Sequence, residues 1–243
     1  MRRCLLSVLI LVAASSGGEA SCVDPSTLVR STVNITREFG ETERRAEPGV
    51  LGIRGTAWFL SPRLIVTAAH VAEAMHLSAR DWKEIEIRER ESKVSIPARV
   101  LRLAGSHAEK IAVLELQTSF PSGATLPIRT EPLVPEEFVV SLAYPKSHLR
   151  LAQGRFVRYG VEERFAGAAL LEMHDGNDRL VLDHGASGAP VLDCKGRVVA
   201  VVSTLITQTI SLPTGAVRVS TAWQTPNVVS MPADVLKDFF SSE

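Results

Sequence analysis

The sequence predicts an all-β protein in two halves, with a strand spacing that suits β-barrels, on the strength of three observations. Short β-rich runs bounded by turn residues recur along the chain. Helix signals are confined to two brief stretches. A segment from 118 to 135, punctuated by Pro121, Pro127, Pro132 and Pro135, separates two blocks of such runs and reads as the connection between halves. With 243 residues, the chain accommodates two units of roughly 100 residues each.

In the first block, strands are expected over 55–61, 64–67, 84–88, 94–103 and 111–117. The charged run 84–93 reads as a solvated strand and turn. In the second block, strands are expected over 138–143, 180–182, 191–192 and 198–204. A short helix is expected over 71–77, and a second over 233–240, where Pro232 suits a helix start. The chain is 45% apolar and 22% charged, with a formal net charge of zero. It can bury a real core, carries no broad basic patch, and is not expected to bind nucleic acid. No repeat of 20 to 50 residues is evident.

Arg2 and Arg3 precede an apolar run over 5–14, and Gly18-Glu19-Ala20 offers small residues at a cleavage point before Ser21. This pattern predicts a signal peptide over 1–20 and an exported protein, secreted or periplasmic. The run is shorter than the roughly 20 residues that span a bilayer, so no stable membrane span is expected after its removal. Cys4 leaves with the signal, and Cys22 and Cys194 remain. Two cysteines in an oxidising compartment permit one disulfide, and two free thiols are the alternative. Asn34-Ile35-Thr36 has the glycosylation pattern, which matters only in a host with that machinery. His76, His107, His148 and His174 lack metal-ligand spacing, and His174-Asp175-Gly176-Asn177-Asp178 reads as a turn, so no cofactor or metal is expected.

The chemistry lies in two motifs more than a hundred residues apart. Gly185-Ala186-Ser187-Gly188-Ala189-Pro190 puts a serine among small residues, and Thr67-Ala68-Ala69-His70 ends an apolar run on a histidine. A serine hydroxyl becomes an effective nucleophile when a base removes its proton, and small neighbours let backbone amides face a developing oxyanion. His70 is the candidate base, Ser187 the candidate nucleophile, and the amides of Gly185 and Ser187 the candidate oxyanion hole.

These motifs resemble those of trypsin-like serine peptidases, in particular the catalytic domain of the bacterial high-temperature-requirement proteases. The stretch Gly55-Thr56-Ala57-Trp58-Phe59-Leu60-Ser61 followed by Leu64-Ile65-Val66-Thr67-Ala68-Ala69-His70 is similar to the family's hairpin leading to its catalytic histidine. Residues 137–145 and 154–157 resemble the first strands of its second barrel, and 191–203 the hairpin behind its substrate pocket. The resemblance implies two packed six-stranded antiparallel β-barrels with a short C-terminal helix. It places an N-terminal segment at 21–48, a first barrel at about 49–130 and a second at about 131–243. It also implies a primary pocket drawn from Val181, Leu182, Asp183, His184, Ser203, Thr204 and Leu205. Leu205 points to a shallow pocket for a small apolar side chain, while Asp183 offers the alternative of a basic one.

One position departs from the family. Its orienting aspartate precedes a strand of the Ile-Ala-Val-Leu type, and here Lys110 precedes Ile111-Ala112-Val113-Leu114. Glu109 is the candidate substitute acid, provided that the strand begins late or bulges. The expected function is therefore an exported serine endopeptidase acting on peptide or protein substrates. The alternative is a pseudoprotease that binds peptides without hydrolysing them. An α/β-hydrolase esterase is excluded by chain order, because that class places its histidine after the nucleophile.

Overall fold

The computed structural model describes residues 22–90, 92–105, 110–121, 123–177, 182–212, 215–220 and 225–239. The predicted signal peptide, Glu109 and Val181 lie outside the described residues. After helix α1 (Pro25–Ser31) come β1 (Thr32–Glu38), α2 (Glu41–Ala46), β2 (Gly52–Ser61), β3 (Leu64–Ala68), α3 (Ala69–Ala74), β4 (Lys83–Glu89), β5 (Ser92–Ala104) and β6 (Ile111–Leu116). The six strands close into an antiparallel barrel in the order β1-β2-β3-β6-β5-β4. The second half holds β7 (Phe138–Ala143), β8 (Arg150–Tyr159), β9 (Ala169–His174), β10 (Pro190–Leu192), β11 (Val198–Leu205), β12 (Thr207–Leu212), β13 (Gly215–Ser220) and β14 (Val228–Pro232). Here the closed order is β10-β11-β14-β9-β8-β7, with β12 and β13 forming a separate hairpin.

Burial on both strand faces explains the continuous apolar runs. In β2, Ala57 and Phe59 join the first barrel's core cluster, whereas Trp58 and Leu60 join a cluster that also takes Val140, Leu142, Leu170 and Leu192 from the second barrel. The same alternation in β6 sends Ala112, Leu114 and Leu116 to the first cluster and Ile111 and Val113 to the shared one. Successive side chains leave a strand on opposite faces, so a strand between barrel interior and seam is apolar throughout. β4 has water on one side and alternates, with Ile85 and Ile87 buried between Glu84, Glu86 and Arg88.

Four features depart from the sequence reading. The first barrel begins at β1, inside the stretch assigned to an N-terminal segment, because pairing of β1 with both β2 and β4 closes the sheet. Leu182 lies in no strand. The helix after β3 starts at Ala69, and the C-terminal helix is a 3-10 helix over Ala233–Phe239. Asn34 of the glycosylation pattern is buried, and its side-chain amide donates to the Gly55 carbonyl at 3.0 Å, so it is a structural residue of β1. No helix among the described residues is long and apolar enough to cross a membrane.

Candidate active site

His70 is the second residue of α3, which starts where β3 ends. Pairing of β3 with β6 sets Thr67 opposite Ala112 and Ala68 opposite Ile111. The ladder then runs one step further, with the Ala69 N–H donating to the Lys110 carbonyl at 2.9 Å. Lys110 therefore stands beside the chain as it turns into His70, the place where the resemblance calls for an acid. Its side chain is exposed and makes no ion pair with another described residue. His70 and Lys110 also line one cavity of about 710 Å³ between α3 and β5.

Ser187 sits in a loop shaped by two glycines in the left-handed region, Gly185 at φ 98° and Gly188 at φ 92°. The Gly188 N–H donates to the Val202 carbonyl, and the Val202 N–H to the Ala189 carbonyl, each at 2.8 Å, pinning the loop to β11. The amides of Gly185 and Ser187 donate to no other described residue, which leaves both available to an incoming oxyanion. The Ser187 hydroxyl donates to the Ser203 carbonyl at 2.9 Å. To pass its proton to His70 the hydroxyl must give up that bond, and catalytic hydrogen bonds are often long or misaligned in substrate-free sites. Ser187 and His70 line a second cavity of about 410 Å³ together with Gly185, His184, Arg54 and Lys146.

Thr56, buried in β2, ties the two halves of the site together. Its N–H donates to the Ser187 carbonyl at 2.9 Å. Its hydroxyl donates to the Gly185 carbonyl at 2.7 Å and accepts the Tyr144 N–H at 3.0 Å. The Thr56 carbonyl in turn accepts the Thr67 hydroxyl at 2.8 Å, linking the nucleophile loop to the strand that leads into the histidine helix. Sequence reasoning assigned Thr56 no role. The available signal was a single hydroxyl in an apolar run, where a buried polar group must find partners.

The expected pocket residues take different places. Leu182 is fully buried in the second barrel's core cluster and presents no surface to the cleft, because the segment entering the nucleophile loop uses it as a packing residue. Asp183 faces Lys146, with its carboxylate 3.0 Å from the ammonium. Burial works against its charge, but the His184 amide and Lys146 outweigh that and hold its carboxyl below the ordinary value. His184 and Thr204 are exposed, and Ser203 is buried with its carbonyl on Ser187. The Leu205 side chain lies outside the described residues. Cys22 and Cys194 form a disulfide with their Cα atoms 4.9 Å apart. Beside it, buried Asp193 accepts from the amides of Lys195 at 2.9 Å and Arg197 at 3.0 Å and from the Arg197 guanidinium, which fixes the hairpin between β10 and β11.

Two closed barrels that bring a histidine from one half and a serine from the other to their common seam define the chymotrypsin-like class. Comparison with known families agrees: the chain belongs to the trypsin-like peptidase domain family, whose pattern matches residues 55–201. Among solved structures, the active form of the Rv3671c protease from M. tuberculosis is similar, with a TM-score of 0.61 and 18% identity over 89% of this chain and 82% of that one. An inactive form of the same protease gives a TM-score of 0.57 and 17% identity, covering 89% of this chain and 90% of that one. At such identities the likeness is one of fold. A comparison with curated protein sequences finds no significant match.

Proposed function

We propose that this protein is an exported serine endopeptidase in which His70 activates Ser187. The observation that carries the reading is a cavity lined by both residues, beside two amides with no partner among the described residues. In the first half-reaction the Ser187 oxygen attacks the substrate carbonyl carbon while its proton passes to a ring nitrogen of His70. The oxyanion that forms is held by the amides of Gly185 and Ser187. Collapse breaks the carbon–nitrogen bond, His70 hands its proton to the leaving amine, and an acyl ester remains on Ser187. Water, deprotonated by His70, then cleaves that ester and restores the hydroxyl.

A second reading, a peptide-binding pseudoprotease, is favoured by one specific observation: a cation, Lys110, sits at the strand end beside the histidine helix, where the family resemblance calls for the orienting acid. A serine-directed fluorophosphonate probe separates the two. Labelling of Ser187 in the folded protein, abolished by Ser187→Ala, is the expected result, because base and oxyanion hole retain activation without the third group. Equal signals from wild type and Ser187→Ala at long exposure would establish the pseudoprotease.

Export is supported by the leader pattern and by the bridge between Cys22 and Cys194, since such bonds persist in oxidising compartments. The expected mature protein begins near Ser21 and carries no free thiol. Intact mass and peptide mapping check both points. Recovery of Met1 rejects cleavage, and two thiols alkylated without reduction reject the bridge.

A further inference from the structure

The cavity of about 410 Å³ beside Ser187 is lined by Gly52, Ile53 and Arg54 of β2, by His70, Val71 and Ala74 of α3, and by Lys146, His184, Gly185 and Ser187. Its charged and titratable side chains among the described residues are Arg54, His70, Lys146 and His184, with no carboxylate among them. Asp183, next to His184 in the chain, is committed to the Lys146 ammonium at 3.0 Å and to the His184 amide at 2.7 Å. Arg54 is different. Its guanidinium donates to the Ser147 hydroxyl at 3.3 Å and pairs with no acid among the described residues.

The loop that completes this wall is held in an unusual backbone conformation. Lys146 and Ser147 are consecutive non-glycine residues with φ of 51° and 65°. Such residues are uncommon in the left-handed region and cost free energy unless the surroundings enforce them. Here the Lys146 N–H donates to the His184 carbonyl at 2.9 Å, and the Ser147 N–H to the Tyr144 carbonyl at 3.0 Å. The strained turn thus sets Ser147 against Arg54 and Lys146 against Asp183. One guanidinium is left oriented, lining the same cavity as the nucleophile, and without an anionic partner among the described residues.

The cavity also has a definite side. The acyl-side pocket implied by the family resemblance is built on β11, whose Ser203 carbonyl touches the Ser187 hydroxyl. Of the residues expected in that pocket, the cavity with Arg54 takes His184 but none of Leu182, Ser203 or Thr204, and its other walls come from β2 and α3. A peptide crossing Ser187 with its acyl half along β11 carries its amine half into this cavity.

We propose that Arg54 selects substrates with an aspartate or glutamate in the first or second position on the amine side of the scissile bond. The inference rests on the peptidase reading above and specifies its substrate class. An acidic side chain there supplies the guanidinium with the carboxylate that the fold withholds, and Arg suits planar, two-pronged recognition of that group. A lysine at the same place meets like charge.

The test uses peptides identical on the acyl side that carry Asp, Asn or Lys at each of the two amine-side positions. For wild type, kcat/KM is expected to be about threefold to tenfold higher for Asp than for Asn, the range of a partly exposed charge-assisted contact. Arg54→Gln should bring that ratio to about one, and Arg54→Glu should invert it in favour of Lys. The ratio is taken within each variant, so a general loss of activity does not mimic the result. A wild-type ratio near one, or a preference that survives Arg54→Gln, overturns the proposal. Binding of the amine-side product peptides, followed by fluorescence anisotropy on Ser187→Ala, gives the second arm. If no peptide is hydrolysed but the Asp peptide binds more tightly in an Arg54-dependent way, the site stands and the peptidase reading falls. If the Asp and Asn peptides bind equally, the site falls as well.

Discussion

Lys110→Asp is expected to raise peptide or ester turnover by at least tenfold and by up to about ten-thousand-fold, the upper figure being what the exchange of the orienting aspartate for an amide costs in a well-characterised triad. The strand register brings Lys110 to the start of the histidine helix through the Ala69 to Lys110 hydrogen bond. An ammonium accepts no hydrogen bond from imidazole, and it opposes the imidazolium that forms when Ser187 gives up its proton. A carboxylate there would hold one tautomer and stabilise that cation. The measurement is kcat on an activated ester and on a peptide, with folding checked by the melting transition. Glu109→Gln is the companion. If Glu109 already orients His70, its amide variant loses activity sharply while Lys110→Asp changes little, and the missing-acid argument is wrong. If neither change moves turnover in folded protein, the cleft does not depend on an acid at this strand end.

Gly188→Ala is expected to remove fluorophosphonate labelling and to lower the melting temperature by roughly 8 to 16 °C, corresponding to about 4 kcal/mol in a domain of this size. A Cβ at this position would lie 2.0 Å from the Thr56 carbonyl oxygen and 2.2 Å from the Thr67 hydroxyl. Both belong to buried residues on β2 and β3, where the surrounding ladder leaves no room to yield. The φ of 92° adds strain that alanine cannot relieve. Gly176→Ala is the control, since nothing stands within 4 Å of its Cβ position. A Gly188→Ala protein that melts with wild type and labels at Ser187 would show that the loop is not seated against the first barrel as described.

The strands easiest to recognise in the sequence were those at the seam. β2, β3 and β6 are apolar on both faces, and their runs stand out from the turns around them. β1 escaped notice because its barrel-closing stretch includes the buried Asn34, the ion-paired Arg37 and the exposed Glu38, so it lacks a continuous apolar signal. β14 follows a proline and is only five residues long. The helix after His70 was expected two residues late, and the C-terminal one as a regular helix, because terminal turns are set by packing and capping more than by propensity.

What the sequence determined by itself was local chemistry. A histidine closing an apolar strand, a serine among glycines and a lysine before Ile111 are each legible because their meaning depends on immediate neighbours and chain order. Relations between residues far apart in the chain were decided only by tertiary structure. The Thr56 bridge to Gly185 spans 129 positions, the Arg54 contact with Ser147 spans 93, and Cys22 reaches Cys194 across 172. Leu182 turned inward and Asp183 toward Lys146 for the same reason. No periodicity encodes such pairings; they arise when two closed barrels, each satisfying its own ladder, press their apolar seams together and bring loops from opposite halves within hydrogen-bonding distance.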